Sequence, residues 1–184
     1  LAGRYHNILI FNLKTPIKNF SLSEREISRI LTCDAENLSA DKKLFMGSPE
    51  GTGFSNGETQ SKEVAHSGQF SSKLNADSPY GMTIAIKNLE YGESFLITAW
   101  RKTAGTAKGG LVASSSPVSY YNGEYKVIET SPGGWEKIQM EVFIPAELAG
   151  QELGVYVYNP EKDAVYFDDL EIKRYKSIFD ISAR

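Results

Sequence analysis

The stretch Ala164-Val165-Tyr166-Phe167-Asp168-Asp169-Leu170-Glu171-Ile172 decides the fold of this chain. Its aromatic and β-branched residues are those of a strand, yet the hydrophobic phase breaks part-way along it. Leu170 and Ile172 share one face, and counting back by two puts Asp168 and Tyr166 on that same face. Val165 and Phe167 take the opposite phase. Either the strand bulges at Asp168-Asp169, or it turns a carboxylate towards the core. A carboxylate facing the core must be paired, hydrogen-bonded, protonated or bound to a metal, because bare burial is too costly. The plainer alternative is a surface Asp pair beside a bulge.

Upstream, strand-like segments run Phe70 to Leu74, Met82 to Ile86, Ser94 to Arg101, Leu111 to Ser114, Tyr125 to Glu129, Glu136 to Ile144 and Leu153 to Tyr158. Ile138, Met140, Val142 and Ile144 alternate with Lys137, Gln139, Glu141 and Phe143. Leu153, Val155 and Val157 alternate in the same way and leave Tyr156 and Tyr158 on the other face. Gly, Ser, Asn and Pro punctuate these segments about every ten residues, the rhythm of a sandwich. Gly47 to Ser61 is polar and Gly-rich and reads as a long loop; Asn56-Gly57 and Asn122-Gly123 are turn dipeptides. The prediction is an all-β sandwich of two antiparallel sheets over residues 32–175. Residues 1–31 read as an appendage: a strand from Tyr5 to Leu13, a turn at Pro16 and a short helix at 22–31. The helix is argued from overlapping capping boxes at Ser21 to Glu26 and from Leu22, Ile27, Ile30 and Leu31 at helical spacing. Residues 176–184 form a tail.

Composition narrows the function classes. A formal net charge of −3 and no basic run longer than Lys42-Lys43 argue against a nucleic-acid footprint. The longest apolar run, Ile8-Leu9-Ile10-Phe11, is far short of a membrane span of roughly 20 residues. One cysteine, Cys33, excludes an internal disulfide and a cysteine-rich zinc site. The two histidines, His6 and His66, lack metal-ligand spacing. Aromatics are the rich class, with ten Tyr, nine Phe and two Trp.

Five signatures then follow one another in order. They are Asp34-Ala35-Glu36, Glu63 to Ser71 with its His66-Ser67-Gly68 turn, Tyr91 to Lys102, Gly134-Trp135 before a strand ending at Ile144-Pro145, and Tyr166 to Ile172. This succession, over about residues 32–175, resembles carbohydrate-binding modules of the 4/9/22 type. The resemblance implies a jelly-roll β-sandwich of the galactose-binding-like fold. It also implies a structural calcium held by Glu36, Asp168 and backbone carbonyls near Ser67 and Gln69, oxygen ligands of the kind Ca²⁺ takes. Such an ion would neutralise the Asp that the strand phase sends inward. Asp34 and Ala35 stand where the family usually has Asn and a bulky apolar residue. The competing expectation is a metal-free site in which Asp168 accepts backbone N–H groups or pairs with a Lys.

Sugar recognition needs flat aromatic faces for pyranose C–H groups and polar groups at the rim. In Phe95 to Lys102, Phe95, Ile97 and Ala99 take the core phase, which turns Leu96, Thr98, Trp100 and Lys102 outward. Trp100, Tyr156 and Tyr158 are therefore expected to form a carbohydrate platform, with Arg101, Lys102, Gln139 or Glu141 as rim hydrogen-bonders. The alternative is that the N-terminal appendage covers these rings. Tyr120, Tyr121 and Tyr125 cluster near Asn122-Gly123, and Trp135 is expected at the sandwich edge.

Enzymatic readings find little support. His66 has no nucleophile elbow or cysteine nearby, and no carboxylate pair is singled out among the 23 acids. The Gly51-Thr52-Gly53 and Gly105 to Gly110 segments lack phosphate-loop spacing. The expected function is a non-catalytic, extracellular or cell-surface module of a larger protein, binding an oligo- or polysaccharide. The alternative is a structural or protein–protein interaction sandwich that contacts neighbouring domains and has no sugar site.

Overall fold

The computed structural model describes residues 25–116 and 120–179. The strand expected at Tyr5 to Leu13 and the first three residues of the expected helix lie outside them. The described residues form thirteen strands: β1 (Ile27–Cys33), β2 (Leu44–Gly47), β3 (Thr52–Ser55), β4 (Gln60–Ser61), β5 (Ser71–Leu74), β6 (Tyr80–Ile86), β7 (Ser94–Thr103), β8 (Gly110–Ser115), β9 (Tyr120–Glu124), β10 (Val127–Ser131), β11 (Trp135–Phe143), β12 (Leu153–Tyr158) and β13 (Val165–Tyr175). Sheet one runs β10-β11-β7-β13-β5-β4, with β1 also paired to β13. Sheet two runs β2-β3-β6-β12-β8-β9. All pairings are antiparallel. The result is a jelly-roll β-sandwich.

Alternation builds the core. Phe95, Ile97 and Ala99 of β7, Ile138, Met140 and Val142 of β11, and Phe167, Leu170 and Ile172 of β13 point inward from sheet one. Phe54, Met82, Leu111, Val155 and Val157 meet them from sheet two. Burying side chains of this size stabilises by about 1.5–3 kcal/mol each.

Three expectations need correction. No helix spans 22–31 in the described part: Ile27–Cys33 is β1, registered from Ile27 opposite Tyr175 to Cys33 opposite Leu170. Pairing with β13 overrides the helical spacing, for it buries Leu31 and Cys33 and leaves Ile27 and Ile30 exposed. Residues 27–31 are thus part of sheet one, not of an appendage. Asn122-Gly123 is no turn but lies inside β9, opposite Ala113 and Val112 of β8. The chain instead turns at Tyr125-Lys126, whose two N–H groups donate to Glu124 Oε1 at 2.8 Å each. The loop expected from Gly47 to Ser61 contains β3, β4 and a 3₁₀ turn at Gly57–Thr59.

The broken phase of the final strand is a bulge. Asp168 pairs with Trp100 and Glu171 with Thr98, so β13 uses one more residue than β7 between the same two rungs. Asp169 at φ 48° absorbs the extra residue. Upstream of the bulge Tyr166 and Asp168 face outward; downstream Leu170 and Ile172 face the core.

Cys33 is 1% exposed, and burial pushes its thiol up to about 12, against a hydrogen bond from the Ala35 N–H. At pH 8 only about one molecule in ten thousand then carries the thiolate, the reactive form. A chromogenic disulfide reagent is expected to leave the native protein unlabelled over minutes and to titrate one thiol in denaturant. Rapid native labelling would show that β1 opens from the sandwich.

Candidate functional site

The rings expected to form one platform lie on opposite sides of the molecule. Trp100 projects from the outer face of sheet one, whereas Tyr156 and Tyr158 project from the outer face of sheet two. The core separates them. Alternation told outside from inside correctly for all three rings, but it carries no information on which sheet a strand joins.

On sheet one, Trp100 is covered by the loop 62–70. His66 stacks on it with ring centroids 4.1 Å apart and planes 16° apart, and Trp135 meets His66 edge-on at 5.5 Å. Lys137 Nζ sits 5.7 Å from the Trp100 ring centre. His66 and Lys137 thus contact the indole; most of the expected appendage lies outside the described residues. Gln139, Lys102 and Glu141 belong to this same outer face, away from the tyrosines. A shallow cavity of about 390 Å³ beside Trp100 is lined by Thr98, Lys137 and the acids Asp34, Asp169 and Glu171.

Arg101 is not a rim residue. It continues the inward phase of Phe95, Ile97 and Ala99 and is only 5% exposed. Its Nε donates to Glu136 Oε2 at 2.9 Å, its Nη2 lies 2.9 Å from the same oxygen as an ion pair, and its Nη1 donates to the carbonyls of Lys108 and Gly109 at 2.9 and 2.7 Å. The guanidinium fastens the β7–β8 connection to β11.

The four residues implied for calcium do meet, but with different chemistry. Asp168 is fully buried under the loop 62–70, where its Oδ2 accepts the N–H groups of His66 at 2.8 Å and Ser67 at 3.2 Å. Burial, and then the neighbouring Asp169 carboxylate, push its carboxyl up to about 7 against the pull of these donors. Glu36 Oε1 accepts the N–H groups of Gln69 and Phe70, both at 2.8 Å. Among the described residues no group of three or more His, Cys, Asp or Glu side chains converges as an ion site. Backbone N–H groups thus take Asp168 Oδ2 and Glu36 Oε1, carboxylate oxygens that the resemblance assigns to the ion.

Sheet two presents a different surface. Across its outer face Tyr80 pairs with Tyr158 and Tyr158 with Gly110; Tyr156 pairs with Val112; Gly154 pairs with Ser114, and Ser114 with Tyr121. A Cβ on Gly110 would come within 2.6 Å of the Tyr125 ring, and one on Gly123 within 3.2 Å of the Tyr121 hydroxyl. The glycines thus let Tyr125 and Tyr121 lie down on the sheet. Val112 is completely buried although it lies outside the core cluster, because it sits under the tyrosine layer. Tyr80, Tyr121 and Tyr125 remain 49, 65 and 42% exposed.

The rings of Tyr80, Tyr156 and Tyr158 form a contiguous group with centroids 5.0–6.3 Å apart and planes 39–85° apart. They make walls rather than a flat platform. Partial burial, and then the neighbouring phenols, push Tyr121 and Tyr158 above the ordinary tyrosine value, so both hydroxyls are protonated at neutral pH. Among the described residues the Lys and Arg cations stacked on aromatic rings all sit elsewhere. Tyr80, next to Pro79 at a strand start, had no alternating neighbours to mark it in the sequence. A cleft of about 630 Å³ opens where β3 and β6 share only the pair Ser55–Thr83; the one ring in its lining, Phe95, is fully buried.

No protein-family model and no curated protein matches this sequence. Solved structures do match its fold. The CBM22-1 xylan-binding domain from Paenibacillus barcinonensis Xyn10C superposes with a TM-score of 0.54 at 15% identity, covering 83% of this chain and 97% of that one. The CBM22-1-CBM22-2 tandem domain of the same protein gives 0.51 at 14% identity, over 83% of this chain and 47% of that one. The Stig cyclase Fisc from Fischerella sp. TAU superposes less closely, with a TM-score of 0.47 at 15% identity over 88% and 97% of the two chains. The chain therefore has the jelly-roll fold of carbohydrate-binding modules.

Proposed function

We propose that this chain is a non-catalytic glycan-binding module and that its ligand lies on the tyrosine-lined outer face of sheet two. The observation that carries this reading is the gathering of five tyrosines on one sheet face over a floor of Gly110, Gly123, Gly154 and Ser114. Phenol rings offer C–H stacking area at low entropic cost, and their hydroxyls both donate and accept hydrogen bonds to sugar hydroxyls. Walls inclined at 39–85° suit a single glycan chain, since a flat crystalline surface demands coplanar rings. Among the described residues no Lys or Arg stacks on these tyrosines, which favours a neutral sugar. The similar domain of Xyn10C is described as xylan-binding, which makes xylo-oligosaccharides the first ligands to try. Reversible binding of polysaccharide fits an accessory module outside the cell; no helix among the described residues is long and apolar enough to cross a membrane.

Calorimetric titration with xylohexaose, cellohexaose and mixed-linkage glucan tests the reading. Saturable binding of at least one is expected, and Trp100→Ala is expected to hold its affinity within about twofold, because the indole lies on the other sheet. Abolition of binding by Trp100→Ala would move the site to sheet one. Failure of every sugar would favour the second reading, a protein-interaction sandwich. Tyr91, Phe143 and Phe179, each 45–46% exposed, with Tyr91 in ring contact with both phenylalanines, would then be the surface to pursue.

A further inference from the structure

The loop 62–70 has no regular structure, yet its backbone N–H groups need partners. Four of them find partners on acids from two distant places in the sequence. His66 and Ser67 donate their N–H groups to Asp168, and Gln69 and Phe70 donate theirs to Glu36. The other oxygen of Asp168 takes the Asp169 N–H at 2.8 Å. Asp169, swung out by the bulge, accepts the Ser67 hydroxyl on Oδ1 and meets His66 Nδ1 with Oδ2, both at 2.7 Å. The fit is close: a Cβ on Gly68, at φ +58°, would come within 2.4 Å of the Glu36 carboxylate.

Peptide geometry then decides what else can reach these carboxylates. In a trans peptide the C=O points opposite to the N–H of the next residue. The only cis bond among the described residues is Ser48–Pro49. The Phe70 N–H aimed at Glu36 therefore turns the Gln69 carbonyl away from it, and the Ser67 N–H aimed at Asp168 turns the His66 carbonyl away. A calcium shell shared by Glu36 and the Gln69 carbonyl is incompatible with these bonds.

We infer that Glu36 and Asp168 fasten this loop directly, as multiple hydrogen-bond acceptors, and that the loop is ordered independently of divalent cations. The ion implied by the resemblance is replaced by backbone N–H groups. The loop in turn holds His66 on Trp100, which covers one face of the indole.

The test is a melting curve of the whole chain in chelator and in millimolar CaCl₂, with calorimetric titration of Ca²⁺. Melting temperatures within about 1 °C of each other and no saturable heat are expected, because an ion that binds only the native state must raise the melting temperature. Saturable Ca²⁺ uptake with a rise in melting temperature overturns the inference. A pair of amide variants gives an independent reading. Glu36→Gln keeps an oxygen for both of its N–H donors and is expected to melt within a few degrees of the parent. Asp168→Asn must turn its NH₂ towards a backbone donor whichever way it sits, and is expected to melt several degrees lower and to deprotect residues 66–70 in hydrogen exchange. Equal loss in both variants, with a calcium response present in the parent and absent from both, would show that the carboxylates are metal ligands.

Discussion

Tyr156→Ala and Tyr80→Ala are each expected to weaken oligosaccharide binding by about 10- to 100-fold, the roughly 1.4–2.8 kcal/mol of an aromatic hot spot. Tyr156 is the inner wall of the group: it meets Tyr80 at 5.5 Å and Tyr158 at 6.3 Å, and its hydroxyl receives the Ser114 hydroxyl at 3.5 Å. Tyr80 is the outer wall, half exposed and touching both others. Removing either opens the corner in which a sugar ring would sit. The phenylalanine variants separate the two contributions. Loss of a hydroxyl alone is expected to cost about 0.5–1.5 kcal/mol, or roughly 2- to 12-fold in affinity. Melting should fall by only a few degrees in all four variants, since the rings lie outside the core cluster. Alanine variants that fold and bind normally would remove sheet two from consideration.

Arg101→Ala is expected to destabilise the fold by about 3–5 kcal/mol, because two carbonyls lose a charged donor at about 1–3 kcal/mol each and the part-exposed Glu136 loses its partner. For a chain of this size that lowers the melting temperature by roughly 6–20 °C. In a site 5% exposed the guanidinium makes three hydrogen bonds, one to Glu136 and one each to the carbonyls of Lys108 and Gly109, and its Nη2 pairs with the same Glu136 oxygen. Lysine should not rescue it, because a point charge cannot reproduce a planar fork spanning a carboxylate and two carbonyls. Urea unfolding gives the loss directly, and titration of the folded variant should return parental sugar affinity. Parental stability with lost binding would reinstate Arg101 as a sugar contact.

Arg101 was legible before the structure. It follows Phe95, Ile97 and Ala99 at steps of two, so the same alternation that sent Trp100 outward sends it inward. The N-terminal strand was not legible. Ile27, Ile30 and Leu31 fit a helix by spacing, and only the presence of β13 alongside makes the extended form better. Glu36 and Asp168 fall between these cases. Resemblance brought them to one loop, but whether carbonyls or N–H groups face them depends on peptide orientations that no residue type encodes.

What the sequence determined by itself is local. Alternation in β11, β12 and the two halves of β13 assigned each side chain to the core or the surface, because successive residues of a strand must face opposite ways. The phase break at Asp168-Asp169 located the bulge for the same reason. What only the tertiary structure decided is which strands are neighbours. β7 and β12 both turn aromatic rings outward, but strand order places them in different sheets, so Trp100 looks one way and the tyrosines the other. Strand pairing joins residues far apart in the chain through backbone hydrogen bonds that are nearly the same for every residue type. A period of two records the face of a strand and nothing of its partner.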